Sequence, residues 1–538
     1  MLAGLVAAAA TATLQVGYVD PNLCAQCHAA ISRQFSRTGM GRSFSKSPAP
    51  TPGRYYHRAS NRHYEVLSRG GTYFLRRHQL DGQGQQVNIL ERRIDFVIGS
   101  GNHAMTFVHR TEQGRLMMLP LTWYAAHGGY WAMSPGYDRP DHLDFRREVS
   151  AECLFCHNGY PAASNGGLAD GIDCQRCHGP GERHVRKPER GTILQPGRLP
   201  PEREMEVCLQ CHLETASQGV PNAIRLAGRP VFSYRPGEQL SGYMLQFDRA
   251  GGGDRFEINH SAYRLRQSPC RPLACTTCHN PHHAGPRSSY RETCQGCHRG
   301  EHASAQTDCI ACHMPKRRTE DAVHVVMTDH RIQRKPPADG LLAPRSEDHR
   351  PYQGPLIPYY PPNPEPLYAS LAQILERNNP REGIPQMMRA IEAARPKDGL
   401  FYAALAEALR AEGRLEEAIP WYRRAAEKER GYSGNLGDAL LRAGRPDAAL
   451  PLLEKGGLRL PLAIAFGQLG RLEDSLRVLE AAVKDNADAP LLWLNMAVTL
   501  ERIGRLTEAE QAYREAIRMQ PDLIEARRRL AELLSRGN

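Results

Sequence analysis

Apolar and small residues recur at helical spacing from Leu367 to the end of the chain. The clearest unit comprises Trp493, Met496, Ala497, Leu500, Gly504, Leu506, Ala509, Tyr513, Ala516 and Pro521. A second unit repeats it with Tyr402, Leu405, Ala406, Leu409, Gly413, Leu415, Ala418, Tyr422 and Ala425. Turn positions align at Asn379, Gly413, Gly444, Gly470 and Gly504. This pattern predicts five helix pairs, two of them shortened around 431–457, and a capping helix over 522–536.

These units resemble tetratricopeptide repeats, in which small residues let two antiparallel helices approach and a proline ends the second helix. The resemblance implies an all-α solenoid over residues 367–538 whose concave surface suits a protein partner. An unrelated helical bundle is the alternative interpretation.

A different pattern lies near the start of the chain, where short segments rich in β-branched and aromatic residues alternate with turns. The segments are Tyr64–Leu67, Thr72–Arg76, Val87–Leu90 and Ile94–Ile98, divided by a Gly-Gly pair and by Asp81-Gly82. They predict a small β-rich insertion within residues 29–152. Ten prolines between residues 336 and 366 indicate an extended linker, or a strap that lies over a surface.

Seven CxxCH motifs use 14 of the 15 cysteines and leave only Cys270. This is the attachment signature of a c-type haem: two thiols form thioethers with the porphyrin, and the histidine becomes the proximal iron ligand. The motifs are Cys24/Cys27/His28, Cys153/Cys156/His157, Cys174/Cys177/His178, Cys208/Cys211/His212, Cys275/Cys278/His279, Cys294/Cys297/His298 and Cys309/Cys312/His313. The sequence therefore predicts seven covalently attached haems.

Zinc ribbons and disulfide frameworks are the alternatives for paired cysteines. A zinc knuckle needs no histidine directly after each pair, and disulfide cysteines do not recur as identical units. The six motifs after residue 152 crowd into about 160 residues. Stacked porphyrins are therefore expected to form the core there. The predicted fold class is mixed: a haem-packed, mostly helical or irregular cytochrome over 18–335, then the all-α solenoid.

The formal charge of +11 is less basic than it looks once haem is counted. Fourteen propionates would bring it to −3 with every iron ferrous and to +4 with every iron ferric. Much of the arginine excess is thus explained by propionate pairing, and the sequence contains no nucleic-acid recognition motif.

Covalent haem attachment in bacteria takes place outside the cytoplasm, so an export signal is expected. Residues 1–17 contain a short apolar run followed by Ala10-Thr11-Ala12, which fits a cleavage site, although a positive n-region is missing. No stretch is long enough to cross a bilayer. We therefore expect an exported protein, periplasmic or displayed at the cell surface.

The second axial ligand of each iron decides between electron transfer and catalysis. The stretches CQRCHGPGERH, CTTCHNPH and CIACHMPK resemble the doubled-CXXCH multihaem cytochromes, a group that includes the tetrahaem electron acceptor of hydroxylamine oxidoreductase. In that family, trailing histidines ligate neighbouring haems. The resemblance covers residues 20–335 and implies distal roles for His184, His282, His324 and His330.

Other distal candidates are His103, His260 and His302, each with a core or surface role as the alternative. Met40 stands where the family typically has a ligating histidine. A thioether ligand would raise the reduction potential of its haem. The alternative is a packing methionine that leaves an iron open.

The leading functional hypothesis is an electron carrier whose repeats dock a redox partner protein or drive self-assembly. The second is a multihaem oxidoreductase that acts on a small nitrogen or sulfur compound at one open iron. Against it, the chain has no CxxCK motif of the ammonia-forming nitrite reductases. A third hypothesis, a redox sensor or scaffold, lacks a visible output domain.

Overall fold

The computed structural model describes residues 17–46, 48–161, 167–217, 220–221, 223–285, 287–298, 308–335 and 340–537. Within them the N-terminal part is β-rich with several sheets, and the C-terminal part is all-helical. The region over 18–335, expected to be mostly helical or irregular, therefore contains more β-structure than expected. Among the described residues its helices have at most 12 residues. The signal-like segment (apart from Gly17) and His302 lie outside the described residues.

A four-stranded antiparallel meander occupies the region of the predicted β-rich insertion. Its strands are β2 (Gly53–His57), β3 (Arg62–Arg69), β4 (Thr72–Leu80) and β5 (Gln86–Arg93). Tyr64, Val66 and Leu75 point into the core, as the two-residue period of a strand requires. Gly70 and Gly71 make the β3–β4 turn with φ of +56° and +78°, a backbone region that favours glycine.

A six-stranded sheet packs against this meander. It contains β1 (Phe44–Ser45), β6 (Phe96–Ile98), β7 (Ala104–Arg110), β8 (Leu116–Tyr124), β9 (Tyr130–Met133) and β10 (Arg147–Glu148). Phe107, Leu119 and Leu121 from this sheet share one core with Tyr64 and Val66. The insertion is thus a two-sheet body, larger than the small unit expected.

Within the described residues, nine short helices accompany this body, and six of them contain all or part of a cysteine motif. They are α1 (Asn22–Cys27), α2 (Ala29–Phe35), α3 (Ala151–His157), α4 (Gln175–His178), α5 (Glu182–Arg186), α6 (Pro201–His212), α7 (Ser261–Leu265), α8 (Arg287–Cys297) and α9 (Cys309–His313). The short strands here are β11 (Ile224–Arg225), β12 (Met244–Arg249), β13 (Lys316–Arg318) and β14 (Val326–Thr328).

The proline-rich segment is more than a linker, because it contributes strand β15 (Leu356–Tyr360). β15 pairs antiparallel with β12, with Asp248 opposite Ile357 and a register shift beside Phe247. β15 is an edge strand, the position in a sheet where a proline such as Pro358 is tolerated. The segment therefore acts as the strap that the sequence offered as the second interpretation.

Five helix pairs and a final helix form the C-terminal part, in agreement with the predicted repeats. They are α10 (Pro366–Leu375), α11 (Pro380–Ala394), α12 (Leu400–Ala411), α13 (Leu415–Lys428), α14 (Ser433–Arg442), α15 (Pro446–Gly456), α16 (Arg459–Gln468), α17 (Leu472–Asp485), α18 (Pro490–Ile503), α19 (Leu506–Met519) and α20 (Ile524–Gly537). Ala406, Ala418 and Ala425 are fully buried where paired helices approach.

Glycine ends the first helix in four of the five pairs. Gly413, Gly444, Gly470 and Gly504 all adopt positive φ, between +73° and +92°. In the first pair Arg377 takes this conformation at φ +57°, while Asn379 is the residue that precedes α11. The alignment of Asn379 with the glycines is therefore wrong, because this loop has one extra residue.

The helical part contacts the N-terminal part at both of its ends. At the first end, α10 packs against β15, and the hydroxyl of Tyr368 accepts a hydrogen bond from the Ala227 N–H (2.8 Å). At the other end, Met519 of α19 is buried in the core shared by the two sheets. The helical part is thus anchored to the N-terminal part at two places.

Candidate functional site

The cysteine motifs adopt one recurring local structure, a single helical turn. In four motifs the histidine N–H donates to the carbonyl of the first cysteine at 2.9 Å: His28 to Cys24, His178 to Cys174, His279 to Cys275 and His298 to Cys294. Residues three and four apart share a helix face, so both thiols and the imidazole project from one side. All fifteen cysteines are free thiols, so none is held in a disulfide.

Three of the predicted attachment thiols lie at the surface. Cys27, Cys297 and Cys312, each the second cysteine of its motif, are exposed, whereas the other cysteines are half-buried. The helices α1 and α9, which contain Cys27 and Cys312, have no buried residue. Haem attachment at the three exposed cysteines stays a prediction.

Three motif histidines face a second histidine that the sequence had singled out. The pairs, with centroid separation and interplanar angle, are His28 and His184 (6.3 Å, 12°), His178 and His282 (5.9 Å, 16°), and His279 and His330 (6.2 Å, 33°). His184 follows the third motif along the chain, His282 follows the fifth, and His330 follows the seventh. The pairs therefore link the first motif to the third, the third to the fifth, and the fifth to the seventh.

The spacing of these rings matches what one shared iron requires. Two imidazoles on opposite sides of a metal ion have centroids about 6.3 Å apart, given bonds of about 2 Å and about 1.15 Å from nitrogen to ring centre. The measured range of 5.9–6.3 Å agrees with that value. The histidine pairs therefore fit a haem with two axial imidazoles.

Hydrogen bonds at the other ring nitrogen orient several of these imidazoles. Nδ1 of His178 lies 2.9 Å from the Leu194 carbonyl oxygen, and Nδ1 of His330 lies 3.1 Å from that of Thr328. A neutral ring that donates from Nδ1 to a carbonyl presents a lone pair at Nε2, as metal-binding histidines do. The Nδ1 atom of His313 lies 2.7 Å from the Gln333 carbonyl oxygen in the same way.

Arg176, inside the third motif, is a buried cation with unused donors. Its side chain is only 1% exposed, and its Nε and Nη1 atoms have no hydrogen-bond partner. The guanidinium lies over the rings of Phe155 and Tyr160, 4.2 Å and 4.6 Å from their centroids. Buried unpaired donors are rare in folded proteins, so this one fits an anionic group such as a propionate. Arg176 was not among the candidate residues predicted from the sequence, although it lies inside the CQRCH motif.

Thiols from different motifs meet at three places. The hydrogen-bonded pairs are Cys24 with Cys174, Cys156 with Cys211, and Cys208 with Cys275. In the first pair, the hydrogen bond lowers the pKa of Cys24 and raises that of Cys174. These contacts join the first motif to the third, and they join the fourth motif to the second and to the fifth.

His260 and His324 have other close partners. Nε2 of His260 lies 3.1 Å from the Thr215 carbonyl oxygen, and burial lowers the pKa of His260 to about 4. His324 lies 3.2 Å from the hydroxyl of Tyr130 and packs on Tyr124. Their predicted distal roles remain predictions.

His103 and Met40 lie in different parts of the N-terminal region. Burial lowers the pKa of His103, whose ring lies near the Val326 carbonyl. Met40 belongs to a turn whose carbonyl accepts hydrogen bonds from the N–H groups of Ser43 and Ile172 (both 3.1 Å). Their distal roles are untested as well.

No three His, Cys, Asp or Glu side chains converge as an ion site among the residues that the structure describes. Haem iron takes only two axial side chains from a protein, so the histidine pairs are the relevant arrangement. None of the helices in the described ranges is long and apolar enough to span a membrane.

The C-terminal part is a tetratricopeptide repeat domain, since a tetratricopeptide repeat family model matches residues 375–435 and 460–524. A TPR repeat-containing protein of Bacillus subtilis (strain 168), YpiA, is 28% identical over 132 residues, which are 23% of this chain and 31% of that protein. The chain thus matches about a third of this relative.

Two solved structures show limited likeness. YrrB, described as a TPR protein with an unusual peptide-binding site, is 17% identical over 30% of this chain and 87% of its own (TM-score 0.27). MamA from Desulfovibrio magneticus RS-1 is 15% identical over 29% of this chain and 94% of its own (TM-score 0.27).

Proposed function

We propose that the N-terminal part is a heptahaem c-type cytochrome that transfers electrons, and that the repeat domain docks its protein partner. The observation that carries the proposal is the set of three histidine pairs, each with one motif histidine and a separation that suits a single iron. Seven CxxCH turns with free thiols supply the attachment points.

In this proposal the three pairs hold the haems of the first, third and fifth motifs. His28, His178 and His279 are the proximal ligands, and the opposing histidines of the pairs are the distal ones. Bound haem supplies reversible one-electron chemistry at each position. The protein sets the spacing, since the meeting thiols bring neighbouring motifs within side-chain contact.

Arg176 supports the same proposal through charge. A cation in this buried position would pair with a propionate and would favour the ferrous state of a nearby iron. The repeat domain offers a protein-binding surface, because tetratricopeptide repeats serve protein interaction. Export of the chain before haem attachment is part of the proposal.

The first experiment is haem quantification and EPR of the oxidised, purified protein. We expect seven covalently bound haems per chain and low-spin ferric signals that account for all of them. A chain that carries no haem after expression with a c-type maturation system would overturn the proposal. A stoichiometric high-spin signal that shifts with nitrite or hydroxylamine would instead favour an oxidoreductase with one open iron.

A further inference from the structure

We propose that the buried ion pair between Arg264 and Asp329 positions the ligands of two haems at once. It holds residues 328–333, a segment that carries the distal histidine of the fifth motif and contacts the proximal histidine of the seventh. This inference rests on the proposed function and assigns positioning residues to two of its haems.

The segment reaches the fifth motif through His330. The ring of His330 faces that of His279, with centroids 6.2 Å apart. Nδ1 of His330 lies 3.1 Å from the carbonyl oxygen of Thr328, so the main chain of the segment orients this imidazole. A movement of the main chain at residues 328–330 would therefore move the ligand relative to its iron.

The same segment reaches the seventh motif through Gln333. The Gln333 N–H donates to the carbonyl oxygen of His313 (3.2 Å), and Nδ1 of His313 lies 2.7 Å from the Gln333 carbonyl oxygen. A carbonyl at Nδ1 fixes the orientation of a ligating imidazole and raises its basicity. Because Gln333 lies only three residues after His330, one anchor can serve both motifs.

Asp329 is that anchor. Its carboxylate accepts two hydrogen bonds from Arg264, from Nε at 2.8 Å and from Nη2 at 2.6 Å, and both side chains are only 1% exposed. The Arg331 N–H donates to the same carboxylate at 2.9 Å, and the Asp329 N–H donates to the carbonyl oxygen of Pro315 at 3.0 Å. The chain is therefore fixed on both sides of His330.

Arg264 is itself held by a second carboxylate. Its Nη1 atom donates to Asp254 at 2.7 Å, and Asp254 also accepts from Arg317 of β13 at 2.8 Å. In the pairing of β13 with β14, Lys316 lies opposite Thr328. The segment is thus clamped from α7, which carries Arg264, and from β13.

Burial explains why this ion pair controls position. A buried carboxylate that loses its cation is strongly destabilised, so it moves toward water. For Asp329 such a movement displaces the adjacent His330 and the rest of the segment. An ion pair that only stabilised the fold would have no such selective effect on two haems.

The test uses the full holoprotein, with EPR and a potentiometric titration of the haems. Arg264→Met should convert one low-spin ferric haem to a high-spin form, because the fifth motif would lose its distal histidine. It should also raise the reduction potential of one further haem, because His313 would lose the carbonyl that makes it a stronger ligand. The other five haems should keep their wild-type signals.

A conservative variant measures rescue. Arg264→Lys keeps the charge but cannot make both hydrogen bonds to the carboxylate. It should therefore leave every haem low-spin and shift the potentials of the same two haems by less than Arg264→Met does.

Arg77→Met is the matched control for loss of a buried ion pair. Arg77 pairs with Asp144 at 2.9 Å, and both side chains are buried, but the pair lies at the meander. This substitution should lower the midpoint of denaturant unfolding and leave the haem spectra unchanged. If Arg264→Met likewise lowers only the midpoint, the ion pair has a structural role alone and the inference fails.

A double substitution identifies the iron. His330→Ala should give one high-spin haem, and Arg264→Met in that background should add no second one. Two high-spin haems in the double variant would place the effect of Arg264 at another motif and overturn the assignment.

The outcomes also separate this inference from the proposed function. If Arg264→Met does not fold, Asp329→Asn, which keeps the shape of the side chain, should give the same spectrum. Seven bound haems with wild-type spectra in both variants would overturn the inference while the proposed cytochrome stands. If the wild-type chain binds no haem, the proposed function itself fails.

Discussion

In the proposed cytochrome, single side chains at the motifs would decide whether an iron has an open axial position. His282 is the informative case, because it faces His178 at 5.9 Å and is followed directly by a second histidine. His283 is exposed. The adjacent pair therefore offers a test in which only one of two neighbouring imidazoles has a ligand role.

His282→Ala should convert one of the low-spin ferric haems to a high-spin form, because the third motif would lose its second axial ligand. EPR of the oxidised protein measures the change. His283→Ala is the control and should keep the wild-type spectrum. Equal effects from both substitutions would contradict the assigned pairing.

Arg176→Met should destabilise the holoprotein by roughly 3 kcal/mol, because a buried propionate would lose its cation. Denaturant unfolding of the haem-loaded protein measures this. The sign of the change in unfolding free energy shows whether Arg176 pairs with an anion, since replacing a buried cation that has no anion would be neutral or stabilising. The exposed Arg183→Met serves as the control and should have little effect.

A buried polar cluster, in which His142 and Asp144 meet side chains of the meander, makes stability depend on pH. Burial lowers the pKa of His142 to about 3, and its Nδ1 atom accepts a hydrogen bond from the Asp144 N–H (3.0 Å). The pKa of histidine in an unfolded chain is about 6.5. Between this pH and about 3, the unfolded state therefore binds more protons at His142 than the folded state does. Stability from this group is therefore present above that window and is lost as the pH falls through it.

The expected slope from His142 is at most about 1.4 kcal/mol per pH unit. His142→Gln should flatten the dependence of unfolding free energy on pH in this window, as measured by denaturant titration at several pH values. His283→Gln, at an exposed position, is the control substitution. An unchanged slope in His142→Gln would show that other groups control acid unfolding.

At the scale of elements, the shortened repeats depend on glycine. The helices α14 and α15 approach so closely that a Cβ at Gly456 would lie 2.3 Å from the backbone nitrogen of Gly434. Backbone cannot move aside as a flexible side chain can. Close contact thus compensates for the shorter helices of this pair.

Gly456→Ala should lower the unfolding free energy by about 1–3 kcal/mol, the usual cost of an overpacked contact. Thermal or denaturant unfolding measures the loss. Gly431→Ala is the matched control, because nothing lies within 4 Å of its added Cβ. A neutral Gly456→Ala would mean that the two helices separate without cost.

At the scale of the whole molecule, the last repeats contact the meander through polar side chains. Arg62, which is buried, pairs with Asp522 at 3.0 Å, and Arg77 donates to the carbonyl oxygen of Arg518 at 2.9 Å. Arg92 also pairs with Asp488. A partner docked on the middle repeats would therefore stand at a fixed distance from the cysteine motifs.

Asp522→Ala should loosen the last repeat from the meander, because it removes the ion pair between Asp522 and Arg62, whose other partners, Asp144 and His142, belong to the N-terminal part. Hydrogen exchange should become faster in β3–β5 and α19 and stay unchanged in α10–α13. Asp438→Ala, which removes an exposed ion pair with Arg442, is the control. Unchanged exchange in α19 would indicate that apolar contacts alone hold the last repeat against the meander.

Local features were predictable from sequence because short-range rules govern them. The spacing of two cysteines and a histidine determines a single helical turn, and the periodicity around Gly413 and Gly504 determines helix pairs with a glycine between them. The four strand segments were recognisable for the same reason. The extra loop residue before Asn379 was not, since one insertion leaves the apolar pattern intact. The exposure of Cys312 was not predictable either, because it depends on which distant segments pack over α9.

The sequence by itself determined the seven CxxCH motifs, the repeat helices and a short set of candidate ligands. Only the tertiary structure decided which histidine faces which, that residues 40–43 reach His157, and that Arg62 meets Asp522 from 460 residues away. Contacts between distant segments follow from loop closure and packing of the whole chain, which no local pattern encodes. The same holds for Arg176, whose unpaired donors are visible only once Phe155 and Tyr160 cover it.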